Sequence, residues 1–153
     1  MAVEINKEIR ELLKDKQTIK ALATIDKTGK PHVSFKGSID IDEEGNLYFL
    51  EVLESSQTNK NLTYSIWFDR YVAITVYGTD KRSWQIKGIP QKVHISGPLF
   101  EEKYTQIVER TPGADLAGVW VIRPEEIREE TFAVRLQEQK EKHPIIGHLD
   151  QLI

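Results

Sequence analysis

The sequence predicts a mainly β, α+β fold: a largely antiparallel barrel with two or three peripheral helices. Three observations lead there. Six or seven segments carry the two-residue apolar alternation of strands. They do not alternate regularly with helices, which argues against a doubly wound parallel sheet. A chain of 153 residues without cysteine is long enough to bury one core unaided, so a single domain over 1–153 is expected.

Ile5, Ile9, Leu12 and Leu13 fall at helical spacing with Glu4, Glu8 and Glu11 on other faces, so an N-terminal helix is expected within 1–16, its amphipathic part over 3–15. The period changes at Thr18, where Ile19, Ala21, Ala23 and Ile25 alternate with Lys20, Leu22 and Thr24. Turn residues Lys27 to Pro31 then make a hairpin into a second strand. That strand sets Val33, Phe35, Gly37, Ile39 and Ile41 on one face and His32, Ser34, Lys36, Ser38 and Asp40 on the other. A third strand, Leu47 to Leu53, follows an acidic turn.

Ser55 to Leu62 is a cluster of capping residues entering about two helical turns. Val72 to Val76 and Ser83 to Lys87 are β-rich, and Pro90 interrupts the latter, making Val93 to Gly97 a continuation past a bulge or an edge segment. Phe100, Tyr104, Ile107 and Val108 mark another helix, closed by Thr111-Pro112-Gly113. A last strand over Val119 to Ala133 is expected to break at Arg123 to Glu126, and 135–153 reads as a loosely packed polar tail.

Composition excludes several functions. Without cysteine there is no thiolate zinc site, iron–sulfur cluster, cysteine nucleophile or disulfide. A net charge of −3 with both signs dispersed argues against nucleic acid as partner. No apolar run approaches the ~20 residues that span a bilayer, and charges occupy the N-terminus where a signal peptide needs apolar residues. No membrane association and a cytoplasmic location are therefore expected.

Asp40-Ile41-Asp42-Glu43-Glu44-Gly45 with Glu51 approximates a calcium loop, but its flanks alternate like strands where that loop needs helices, so it reads as an acidic hairpin turn. His143 and His148, five apart around Pro144, do not suit one helical face. No metal site is expected, and no hydrolase elbow or nucleotide-binding loop is present. What remains is an anion-binding constellation. Ser55, Ser56, Gln57 and Thr58 lie at a helix start, where unpaired N–H groups favour a phosphate, and Lys36 adds a cation. The same residues also suit a plain helix cap.

Taken in order, Ala23 to Ser34, Gly45 to Phe49, Ser56 to Leu62, Val72 to Val76 and Trp84 to Gly88 resemble successive segments of the FMN-binding split β-barrel family related to pyridoxamine 5′-phosphate oxidase, over Ile19 to Glu101. The resemblance implies an antiparallel split β-barrel and a homodimer with FMN at its interface. By position it assigns the phosphate to Lys36, Ser56, Gln57 and Thr58, with Ser34 and Asn61 nearby, and the isoalloxazine edge to Ser83, Gln85 and Lys87. Gln57-Thr58 stands where the oxidase has Arg-Lys, and the oxidase's substrate-binding Arg and His have no counterpart. The function so implied is an FMN-dependent oxidoreductase of a small organic substrate, other than pyridoxamine phosphate, with no catalytic residue assigned. The alternative is a non-catalytic module holding FMN, haem or another planar ligand. In the implied dimer Trp67, Phe68, Trp84 and Trp120 belong either at the interface or in the core.

Overall fold

The computed structural model describes residues 2–143. Its elements in chain order are α1 (Lys7–Lys14), β1 (Ile19–Ile25), β2 (Pro31–Phe35), β3 (Asp40–Ile41), β4 (Leu47–Glu51), α2 (Gln57–Trp67), β5 (Val72–Tyr77), β6 (Ser83–His94), α3 (Pro98–Arg110), β7 (Gly118–Glu129) and α4 (Phe132–Lys142). The seven strands form one sheet in the order β2-β1-β5-β6-β7-β4-β3, with every neighbouring pair antiparallel.

Barrel closure follows from where the two edge strands lie in sequence. β2 and β3 sit at opposite ends of the sheet, yet only Lys36 to Ile39 join them. Four residues cannot span seven strands spaced ~4.8 Å apart, so the sheet curls until its edges meet. Lys36 N–H donates to the Lys20 carbonyl at 2.9 Å on the β1 side, and Leu50 N–H donates to the Ser38 hydroxyl at 2.9 Å on the β4 side. The second strand expected from the sequence is thus divided, with Gly37-Ser38 at the split.

Leu22, Ile74, Ile86, Phe49 and Ile122 fill the interior, and Leu62 of α2 with Ile9, Leu12 and Leu13 of α1 completes it. α1 starts where Asn6 accepts the Ile9 N–H at 2.9 Å, as an N-cap does. Its apolar stripe is the one its sequence period predicted.

One expectation is corrected and two are made specific. β7 runs unbroken through Pro124, because β6 accommodates it with register shifts at Lys87/Gly88 and Pro90/Lys92. At the first shift a Cβ on Gly88 would lie 2.5 Å from the Arg123 carbonyl oxygen, so only glycine permits that approach. Arg135 to Lys142, read from the sequence as the start of the polar tail, belongs to a fourth helix, Phe132–Lys142, with no buried residue and with charge pairs such as Lys142–Glu138 at 2.9 Å that offer no apolar stripe to read. Finally, Trp120 is buried in the core and Trp84 packs against it, whereas Trp67 and Phe68 are exposed. His148 and Ile145-Ile146 lie outside the described residues. Among the described residues, no helix is long and apolar enough to cross a membrane.

Candidate functional site

The start of α2 is built by four strands and one short loop. Ser56 is the N-cap, its hydroxyl oxygen accepting the Asn59 N–H at 2.9 Å. Gln57 and Thr58 follow in the first turn, where N–H groups have no carbonyl four residues back to accept them. Trp120 of β7 fixes the helix from below, its indole N–H donating to Asn59 Oδ1 at 2.9 Å.

β2 forms the facing wall. Its register with β1 places Ser34 opposite Leu22, and Leu22 opposite Ile74 of β5, so the polar row of β2 turns inward under α2. Val33 and Phe35 turn outward, 68% and 79% exposed. The hydroxyls of Ser34 and Thr58 share a hydrogen bond of 3.1 Å. The two sides expected from the sequence, polar strand face and helix start, therefore meet.

A residue that the sequence suggested only as the end of a rejected calcium loop sits between them. Glu51, the last residue of β4, is 1% exposed. Its carboxylate accepts the Ser56 hydroxyl at 2.5 Å, the Leu53 N–H at 3.3 Å and the Lys36 ammonium at 3.4 Å. Lys36 also lies 5.6 Å above the Phe49 ring centroid. The cation assigned to a phosphate is thus already paired with an internal carboxylate. A signal for this existed: Glu51 continues the two-residue period of Leu47 and Phe49, the buried face of β4.

Gln57 and Asn61 extend the site sideways. Gln57 Nε2 donates to Asn61 Oδ1 at 2.7 Å, and Asn61 Nδ2 donates to the Thr24 hydroxyl at 3.0 Å. Thr24 lines an apolar cleft of about 410 Å³ together with Ala23, Tyr71, Ala73, Lys87 and Glu126. One hydrogen-bonded chain therefore runs from the first turn of α2 to the buried Thr24 hydroxyl on the inner face of β1.

Ser83, Gln85 and Lys87 alternate on one face of β6, as expected. Register pairs Gln85 with Thr75 and Lys87 with Ala73, in rows that continue to Phe35 and Val33. This is the outer face of the sheet, opposite to Ser34 and Lys36, and three strands or roughly 14 Å from β2. Lys87 reaches the apolar cleft. Ser83 is tied by its backbone to α4, its N–H donating to the Thr131 hydroxyl at 2.9 Å.

Asp42 to Asn46 forms the acidic hairpin turn, with Asp42 Oδ1 accepting the Glu44 and Asn46 N–H groups at 2.9 Å each and Gly45 at φ +86°. Its flanks are strands β3 and β4. Among the described residues, no group of three or more His, Asp or Glu converges as a metal site does.

No protein-family model matches the chain, and no curated protein matches it in sequence. Solved structures do. An FMN-binding protein from Syntrophomonas wolfei superposes with TM-score 0.64 at 14% identity, over 79% of this chain and 82% of its own. A protein assigned as a pyridoxamine 5′-phosphate oxidase, from Lactobacillus delbrueckii, gives 0.61 at 21%, over 82% and 93%. The haem-storage protein HutZ from Vibrio cholerae gives 0.57 at 17%, over 83% and 95%. The chain has the split β-barrel fold of pyridoxamine 5′-phosphate oxidase-like proteins.

Proposed function

We propose that the protein binds FMN as a homodimer and that the bound flavin carries two-electron oxidoreduction of a small organic substrate. The observation that carries the reading is the α2 start facing the Ser34 hydroxyl across the inner side of the sheet, with an apolar cleft edged by Lys87 on its outer side. Helix-start N–H groups with the Ser34 and Thr58 hydroxyls suit a phosphate, and the cleft suits a flat apolar ring. The isoalloxazine would supply the redox chemistry; a cation such as Lys87 near its pyrimidine edge would favour the anionic reduced form.

The dimer in this reading rests on the outer face. Ile19, Val33, Phe35 and Tyr77 are exposed together there, beside Gln85 and Lys87 on adjoining strands. Monomers rarely leave such a patch uncovered, and a two-fold related copy would cover it with itself. A second chain also resolves the geometry, since one flavin cannot touch the inner and outer faces of one sheet without passing round its edge.

Titration should quench FMN fluorescence at micromolar protein, about −8 kcal/mol, and light scattering should give twice 17.7 kDa. Absence of binding at millimolar FMN ends the flavin reading, and a monomer at micromolar concentration ends the dimer. Thr58→Ala should weaken FMN more than riboflavin, because Thr58 stands at the phosphate end; equal losses would show that assignment wrong. If flavin binds but neither NADH, NADPH nor dithionite followed by oxygen cycles it, the protein is a planar-ligand carrier, a reading to which the haem-storage neighbour adds support.

A further inference from the structure

A second cleft, of about 620 Å³, lies on the other side of the β2–β3 connection, between the C-terminal end of α1 and the face of α3. Its walls bring Lys14, Lys16 and Lys20 together with Lys103 and Arg110, residues more than eighty positions apart in sequence. Asp40 is the one carboxylate in its lining. The lining carries +4, which leaves −7 on the rest of a chain whose net charge is −3. A positive concavity on an acidic protein is an electrostatic trap for anions.

Two buried groups, Lys20 and Thr18, lie in its lining beside the exposed cations. Lys20, 8% exposed, donates its ammonium protons to the carbonyls of Leu13 at 2.7 Å and Ile39 at 2.9 Å. Those bonds hold the cleft floor to α1 and keep the charge in place. A third, longer bond goes to the Gly37 carbonyl at 3.5 Å, and burial pushes the Lys20 pKa down, against the opposing pull of Asp40 and Asp15. Thr18, 7% exposed and also in the lining, has a hydroxyl with no hydrogen-bond partner.

We propose that this cleft binds a compact polyanion of the diphosphate class, at a site separate from the start of α2. Several cations around one confined space match closely spaced negative charges. Nucleic acid fits less well: the rest of the surface is acidic, and the one aromatic ring in the lining, Tyr48, is occupied by the Lys103 ammonium 5.1 Å from its centroid rather than free to stack a base. This inference does not depend on flavin binding.

Calorimetric titration of the full chain with inorganic pyrophosphate at low salt is the test. Saturable binding with Kd at or below about 1 mM is expected. Lys16→Gln with Arg110→Gln, both exposed and so neutral for folding, should weaken it about tenfold or more, while Lys27→Gln with Lys30→Gln in the β1–β2 turn should leave it unchanged. Added FMN should not compete. No saturation by about 10 mM, equal loss in the control pair, or competition by FMN would each overturn the proposal. Displacement of pyrophosphate by a single-stranded oligonucleotide that binds more tightly would replace it with a nucleic-acid surface.

Discussion

Lys36→Ala is expected to cost about 3–5 kcal/mol of stability at pH 7, the range seen when one partner of a buried ion pair is removed. The loss comes mostly from what is left behind. Glu51 is 1% exposed, and without the ammonium 3.4 Å away its carboxylate keeps only the Ser56 hydroxyl and the Leu53 N–H. Urea unfolding measures the cost. Adding Glu51→Gln should restore most of it, because an amide of the same shape needs no counter-charge, and the double-mutant cycle should show strong coupling. Equal losses with and without the second substitution would mean that Lys36 acts through its packing over Phe49.

Glu51→Gln alone should strengthen FMN binding about thirtyfold while leaving riboflavin within a factor of about three. A unit charge roughly 7 Å from a phosphate, at an effective dielectric of about 20, is worth about 2 kcal/mol. Removing it also frees Lys36 to turn to the ligand. Paired fluorescence titrations with the two flavins check this, the riboflavin arm separating a phosphate effect from a general change in the cleft. Should FMN affinity fall, Glu51 would be supporting the phosphate site through Ser56 rather than competing at it. The pair also bears on Gln57-Thr58: without a second cation in that turn, the one nearby lysine matters more, and Glu51 holds it.

Most of the elements could be read in order because their cues are local. The apolar stripe of Ile9, Leu12 and Leu13, the Lys27 to Pro31 hairpin, the acidic turn at Asp42 to Asn46 and the capping cluster from Ser55 to Leu62 each depend on residues within a few positions. The elements that escaped depend on partners far away. β7 passes Pro124 unbroken because β6 shifts register beside it, and α4 is a charged helix with no buried residue, so no apolar period betrays it.

The same division applies to the candidate site. Period and residue type by themselves determined which side chains share a strand face, placing Ser34 with Lys36 and Ser83 with Gln85 and Lys87, and they located a helix start within Ser55 to Thr58. Which face turns inward was decided only by the sheet. Alternation carries no absolute direction, and the pairing of β2 with β1 sends Ser34 and Lys36 under α2 while Val33 and Phe35 go to the outside. Tertiary structure alone also brought Glu51 to Lys36 across fifteen residues and Lys20 to the carbonyl of Ile39 across nineteen. A buried charge is tolerable only beside its partner, and that partner is supplied by strands meeting across the split, a juxtaposition that no local pattern encodes.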